Sequence, residues 1–209
     1  MTKPTLTAIM FDIGQVVVSW DPVAALEPRY GRIEAERLLS EADFARRNPI
    51  HDAGLPFAHS IDELRTAGRA EAAEALAYYV ENFEHSLTGL IEGTTELIRE
   101  LGERGIGVYG LTNWSAETFG HARHAAPVLD EFDGILVSGQ EGLAKPDPEI
   151  FTLALTRFGL DAERTGFVDD SPRNVEAAAA LGLATHQFTD ARGARSWALA
   201  AIDQEETCA

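Results

Sequence analysis

The stretch Ala8-Ile9-Met10-Phe11-Asp12-Ile13-Gly14-Gln15-Val16-Val17-Val18 decides how this chain is read. An apolar run enters an aspartate and resumes after it. A short, uninterrupted apolar run of this kind is the pattern of a strand buried on both faces. In open parallel α/β sheets, ligands sit just beyond the carboxyl ends of the strands. Asp12 stands at that point, where a carboxylate serves as a nucleophile or as a ligand to a hard cation. Taken alone, an aspartate here also suits a turn that merely ends the strand. Later segments decide between the two.

Further apolar runs fall at 107–111, 134–138, 165–168 and 184–188. Helix-length segments lie between the later runs, at 93–104, 115–126, 147–158 and 171–181. Strands alternating with helices predict an α/β fold, a doubly wound parallel (Rossmann-like) sheet covered on both faces. Gly105 and Gly182 follow helical runs, as stop signals do. Pro172 lies just inside a helix start, with Ser171 before it as the expected N-cap. A last helix is expected over 194–202, followed by a polar tail.

The first crossover differs from the others. Between residue 19 and about residue 87 no strand is evident, and helical spacing recurs in 23–30, 33–39, 61–70 and 71–85. This is too long for one crossover helix. The expected division is an α/β core at 1–18 and 88–209 with a small helical cap, 19–87, inserted after the first strand. A cap at the ligand-binding edge of a sheet would act as a lid.

Four polar clusters lie at the carboxyl ends of successive strand candidates, on the same edge. These are Phe11-Asp12-Ile13-Gly14, Leu111-Thr112-Asn113, Lys145-Pro146-Asp147-Pro148 and Phe167-Val168-Asp169-Asp170-Ser171, with Asn174 shortly after. Phosphoryl transfer needs such a set, because phosphate oxygens require donors and cations. Lys145 supplies a point charge, Thr112 a hydroxyl and Asn113 a backbone N–H. Asp12 and Asp170 are candidate ligands for Mg²⁺, which is usually held by one or two carboxylates together with water and phosphate oxygen.

The four clusters, in this order and with a helical segment between the first two, resemble the haloacid dehalogenase-like (HAD) hydrolases. The resemblance covers nearly the whole chain. It implies that Asp12 is the nucleophile, that Thr112 and Lys145 serve the phosphoryl group, and that Asp169 and Asp170 are the acids of the metal site. It further implies that Mg²⁺ is held by Asp12, the Gly14 carbonyl and Asp170, with Asp169 behind them. Most phosphatases of the family carry a second aspartate two residues after the nucleophile, as general acid and base. Gly14 stands there in this chain. The string Phe-Asp-Ile-Gly-Gln-Val is similar to a branch containing sugar-1-phosphate phosphatases. General acid–base help is typically worth ~10²–10⁴ in rate. Its loss favours an acidic leaving group, or else moves the proton donor to the cap or to water.

In the cap, Arg46, Arg47, His51 and Asp52 form a polar cluster flanked by Asn48-Pro49. Arg47 and His51 are carried forward as candidates for reading the leaving group. The alternative is a solvated face between cap helices. His121 and His124 are spaced like half a metal site but have no nearby cysteine or further histidine, so they read as surface residues. Trp20 reads as packing at the cap hinge, with a place in the pocket wall as the second option. The scattered glycines between 89 and 110 make no nucleotide fingerprint.

Composition narrows the field. The 209-residue chain has a formal net charge of −17 and a single cysteine, Cys208. The charge opposes nucleic-acid binding and docking on anionic membranes. No apolar run is long enough to span a bilayer. Without an apolar leader, the expected location is cytoplasmic. The sequence carries no coiled coil or marked apolar stripe and is compatible with a homo-oligomer. Three functions remain open. The first is a Mg²⁺-dependent hydrolase of a small phosphorylated metabolite, such as a sugar phosphate, acting through an aspartyl-phosphate. The second is a metal-independent 2-haloacid dehalogenase-like hydrolase. The third is a catalytically weak protein that binds a phosphate ligand.

Overall fold

The computed structural model describes residues 5–203, so Cys208 lies outside the described part. Five parallel strands form the main sheet: β1 (Ala8–Phe11), β4 (Gly107–Thr112), β5 (Gly134–Val137), β6 (Thr165–Asp169) and β7 (Ala184–Gln187). Their order is β5-β4-β1-β6-β7, with β1 in the middle. All four residues of β1 are buried. They have to be, because consecutive strand residues point to opposite faces and both faces are covered.

Ile9 and Phe11 pack on the face that carries Leu97, Ile98 and Leu101 of α6 (Thr94–Glu103) and Ala194 and Ala198 of α11 (Ala191–Ile202). Met10 points the other way, toward Ile150, Phe151 and Ala154 of α9 (Pro148–Phe158) and Ala178 of α10 (Pro172–Ala180). Phe151 meets Phe167 edge-to-face at 5.3 Å between centroids. Full burial of such a side chain contributes ~1.5–3 kcal/mol. The alternating apolar and helical segments thus fold as read, and the sheet's carboxyl edge gathers the four polar clusters.

Between β1 and β4 the chain forms an insert of five helices: α1 (Pro22–Tyr30), α2 (Arg32–Glu41), α3 (Phe44–Asp52), α4 (Phe57–Thr66) and α5 (Ala70–Glu81). Two expectations need correction here. The region is not free of strands: β2 (Val18–Trp20) pairs antiparallel with β3 (Leu87–Leu90), and together they form the ribbon through which the chain enters and leaves the insert. Strands this short leave little periodic signal. The helix α3 was also hidden, because Asn48-Pro49 reads as a break. It forms because Phe44 packs on Trp20 and Tyr79, at 6.2 and 5.0 Å. Tertiary packing of this kind supplies most helical stability in proteins.

Other boundaries shift modestly. Helix α4 ends at Thr66, earlier than the spacing suggests, and Gly68 turns the chain with φ +75. Only Gly120–Ala125 (α7) of the expected 115–126 segment is α-helical. Ser138 opens a short helix, α8 (Ser138–Glu141), instead of ending β5. Ser171 is the N-cap of α10, although its side chain makes no capping hydrogen bond.

Candidate active site

The site is built from the loops that follow β1, β4 and β6, together with the segment before α9. The Asp12 backbone N–H donates to the Val168 carbonyl at 2.8 Å, which anchors the loop to β6. Its Oδ1 accepts from the Ile13 N–H at 2.7 Å and lies 3.1 Å from Lys145 Nζ. Lys145 is completely buried at its side chain and also donates to Asp169 Oδ2 and the Leu111 carbonyl, each at 2.7 Å. Asn113 fixes the lysine by a reciprocal pair. Its Nδ2 donates to the Lys145 carbonyl, and its Oδ1 accepts from the Lys145 N–H, both at 2.8 Å. Asp169 is held in turn by Asn174 Nδ2 at 3.0 and 3.1 Å and by the Ser171 N–H at 2.8 Å.

The electrostatics follow from this crowding. Burial drives the Asp12 carboxyl above its ordinary range, Lys145 opposes it, and Asp169 adds to it. Burial alone would lower Lys145, but Asp12 and Asp169 outweigh it and hold the ammonium above its usual value. Asp170 is raised by burial and then by Asp169. Carboxylate oxygens of Asp12, Asp169 and Asp170 lie within 4.8 Å of one another. One ammonium among three carboxylates leaves negative charge uncompensated. An all-oxygen donor set with excess negative charge fits a hard divalent cation.

Thr112, at the end of β4, is fully buried, and its Oγ1 has no hydrogen-bond partner. Leaving a buried hydroxyl unpaired costs ~1–3 kcal/mol, so it fits a site awaiting an acceptor oxygen. The sequence-predicted Asp12, Thr112, Asn113, Lys145, Asp169 and Asp170 therefore share one edge.

Arg47 and His51 do not join them. Arg47 donates to Glu63 Oε2 at 2.6 Å and Ser60 Oγ at 3.1 Å, both on α4. His51 is buried, stacks on Phe57 at 4.0 Å and is tied through Nδ1 to the Leu55 carbonyl at 2.8 Å. Helical geometry explains the correction. Residues four apart share a face, so Arg47 and His51 turn together toward α4. Asn48 and Asp52, one step on, turn toward the core, where Asn48 Nδ2 donates to Asp52 Oδ2 at 2.9 Å. These two residues reach a cavity of about 80 Å³ that begins at Gly14 and Asn113. Five aromatic side chains line it, Trp20, Phe57, Tyr79, Phe83 and Trp114, together with the polar Ser115 and Thr118. Trp20 is thus both hinge packing and pocket wall. The histidines of α7 hold no common site: His121 faces Glu84 at 3.6 Å, and His124 contacts the Gly120 carbonyl.

Residues 1–182 match the haloacid dehalogenase-like hydrolase family. The chain belongs to that family. The hydrolase is 30% identical to sesquiterpene phosphatase astK of Aspergillus oryzae, over 89% of its own length and 91% of the relative's. It is 28% identical to a phosphoserine phosphatase of Thermus thermophilus, over 77% of its own length and 62% of that protein. In fold it is similar to the HAD family enzyme bt-2542 of Bacteroides thetaiotaomicron, with a TM-score of 0.70 at 20% identity over 90% and 95% of the two chains. That enzyme has also been solved in complex with magnesium and inorganic phosphate, a structure matching at a TM-score of 0.66 and 23% identity over 88% and 95% of the chains. Among the described residues, no helix of this hydrolase is long and apolar enough to cross a membrane.

Proposed function

We propose that this hydrolase is a cytoplasmic, Mg²⁺-dependent phosphomonoesterase acting on a small phosphorylated metabolite through an aspartyl-phosphate. The observation that carries the reading is the meeting of Asp12, Asp169, Asp170 and buried Lys145 beside the unpartnered Thr112 hydroxyl. Asp12 attacks phosphorus in line. Lys145, Thr112 and the Asn113 N–H neutralise and orient the phosphoryl oxygens. Water then cleaves the aspartyl-phosphate. Asp12, the Gly14 carbonyl and Asp170 would hold Mg²⁺, and Asp169 supports them from behind. When bound, the metal supplies positive charge that removes repulsion between an anionic nucleophile and an anionic substrate. The dehalogenase alternative fits less well, because Asp169 and Asp170 would repel a carboxylate substrate.

The cavity favours an apolar or aromatic leaving group over a sugar. Its polar groups are largely engaged with one another: Trp20 Nε1 donates to the Tyr79 hydroxyl, Trp114 Nε1 to Thr118 Oγ1, and Asn48 to Asp52. Sugar hydroxyls would go unpaired there, at a cost of ~1–3 kcal/mol per buried group. One water needs ~10–15 Å³ of such space, so a cavity of about 80 Å³ takes a small group unless the insert opens. A screen of alkyl, aryl and sugar phosphates with Mg²⁺ or EDTA tests the reading. Metal-dependent turnover favouring apolar esters is expected. Activity that persists in chelator, or turnover of 2-haloacids alone, would overturn it.

A further inference from the structure

Gly14 leaves the departing oxygen without the usual proton donor, and the structure offers a replacement. A Cβ built on Gly14 meets nothing within 4 Å. That open space joins the aromatic cavity, whose wall holds two titratable groups, Asp52 and Tyr79. The Tyr79 hydroxyl accepts from Trp20, and burial pushes its acidity far out of range. His51, next in sequence to Asp52, has no proton to give. Its Nδ1 faces a carbonyl and must carry the N–H, which leaves buried Nε2 as a bare acceptor without a partner.

Asp52 is placed at the seam between insert and core. Its backbone carbonyl accepts from Ser138 Oγ of α8. Its carboxyl accepts from Asn48 of its own helix at 2.9 Å, and the nearby Ser115 N–H of the core also favours its ionised form. Neither donor is charged. A buried carboxylate without a cation is costly, so the neutral acid is favoured. Burial accordingly pushes the Asp52 carboxyl up to about 7.

We infer that Asp52, reaching the cavity from the insert, gives its proton to the leaving oxygen and afterwards takes one from the attacking water. The inference rests on the phosphomonoesterase reading. In the first step the Asp12 oxygen bonds to phosphorus, the ester P–O bond breaks, and the Asp52 proton converts the departing alkoxide into an alcohol. In the second, Asp52 as carboxylate removes a proton from water as its oxygen bonds to phosphorus. The Asp12–phosphorus bond then breaks, phosphate leaves, and Asp52 is again an acid. The sum is ester plus water to alcohol plus phosphate.

The test compares alkyl phosphates with dinitrophenyl phosphate, whose leaving group departs as an anion unaided, in the wild-type enzyme and in Asp52→Asn. Asparagine keeps the shape, so Asn48 retains an acceptor. The wild type should show a shallow dependence of kcat on leaving-group acidity. Asp52→Asn should lose ~10²–10⁴ in kcat toward alkyl phosphates and less than about threefold toward dinitrophenyl phosphate. The dinitrophenyl rate also reports that the variant is folded. Toward alkyl phosphates the wild type should lose activity as pH rises through about 7, and the variant should lack that limb. Of the groups around Asp52, namely Asn48, Ser115 and Tyr79, only Tyr79 titrates, well above this range. Equal losses toward both substrates, or a steep leaving-group dependence already in the wild type, would overturn the role of Asp52 while leaving the phosphatase standing. A wild-type enzyme inert toward every phosphate ester in Mg²⁺ would overturn the phosphatase reading, and the role of Asp52 with it.

Discussion

Lys145 Nζ lies 2.7 Å from Asp169 Oδ2, and both side chains are fully buried. Coulomb attraction in a dry site is strong, but so is the cost of desolvating both charges. What makes the pair secure is its surroundings, because Asn174 and the Ser171 N–H complete the hydrogen bonding of Asp169. Lys145→Ala should therefore damage two properties at once. Leaving the carboxylate unpaired should cost ~3–5 kcal/mol of stability. Losing the charge should cut kcat by ~10²–10³, as removal of one comparable donor does. Thermal melts and steady-state kinetics check the two separately. A kcat/KM within about threefold of wild type would remove Lys145 from the phosphoryl site, and an unchanged Tm would refute the stabilising role of the buried pair.

Asp12→Asn should abolish turnover and leave the fold intact. An amide is neither a competent nucleophile nor a good ligand for a hard cation. The backbone anchor from Asp12 N–H to Val168 is unaffected by the change. Circular dichroism should match wild type, and activity above a few per cent, after removal of contaminating phosphatases, would refute the nucleophile assignment.

The two acids after β6 should part company. Asp170→Ala should raise the Mg²⁺ concentration needed for activity with little effect on Tm, because the side chain lies outside the buried Lys145 network. Asp169→Ala should lower Tm, because it strands the Lys145 ammonium and the Asn174 amide. Magnesium titrations and melts of both variants decide it. Equal effects on metal dependence would contradict the assignment of Asp170 as the direct ligand.

Asp52 carries a signature in stability as well. Its folded pKa of about 7 lies above the ordinary 3.8. For such a group stability is fully present below the unfolded pKa and is lost as pH rises through the folded one. Asp52 should therefore cost nothing near pH 3 and impose its full penalty above pH 7, with a ceiling of ~4 kcal/mol. Asp52→Asn should raise Tm at pH 8 by more than at pH 5. The same gain at both pH values would show that Asp52 is already ionised in the folded protein at pH 5.

Much of this was legible in the residues themselves. Strands β1, β4 and β6 are apolar runs that end in polar clusters, and the parallel sheet requires those ends to meet, so Asp12, Thr112 and Asp169 could be placed together from the residues alone, with Lys145 read onto the same edge from its own cluster before α9. The insert was harder. Its facing depends on helical phase, and one step along α3 separates His51, buried against Phe57, from Asp52 in the cavity wall. Pro49 concealed the helix that sets that phase. The clamp of Asn113 on Lys145 joins residues far apart in sequence and leaves no local signal.

The ribbon β2–β3 has a consequence for how such enzymes diversify. The Asp21 N–H donates to the Ser86 carbonyl at 2.8 Å, so the segment between them starts and finishes at one point. Closing that point costs only a slowly growing entropy as the intervening chain lengthens, about 0.6 kcal/mol per doubling. A longer or entirely different segment can therefore be spliced across Asp21 and Ser86 without re-registering the parallel sheet. The core loops that carry Asp12, Thr112, Lys145 and Asp169 would be inherited unchanged, while the choice of alcohol, and with it the proton donor Asp52, would be redrawn by exchanging one contiguous cassette.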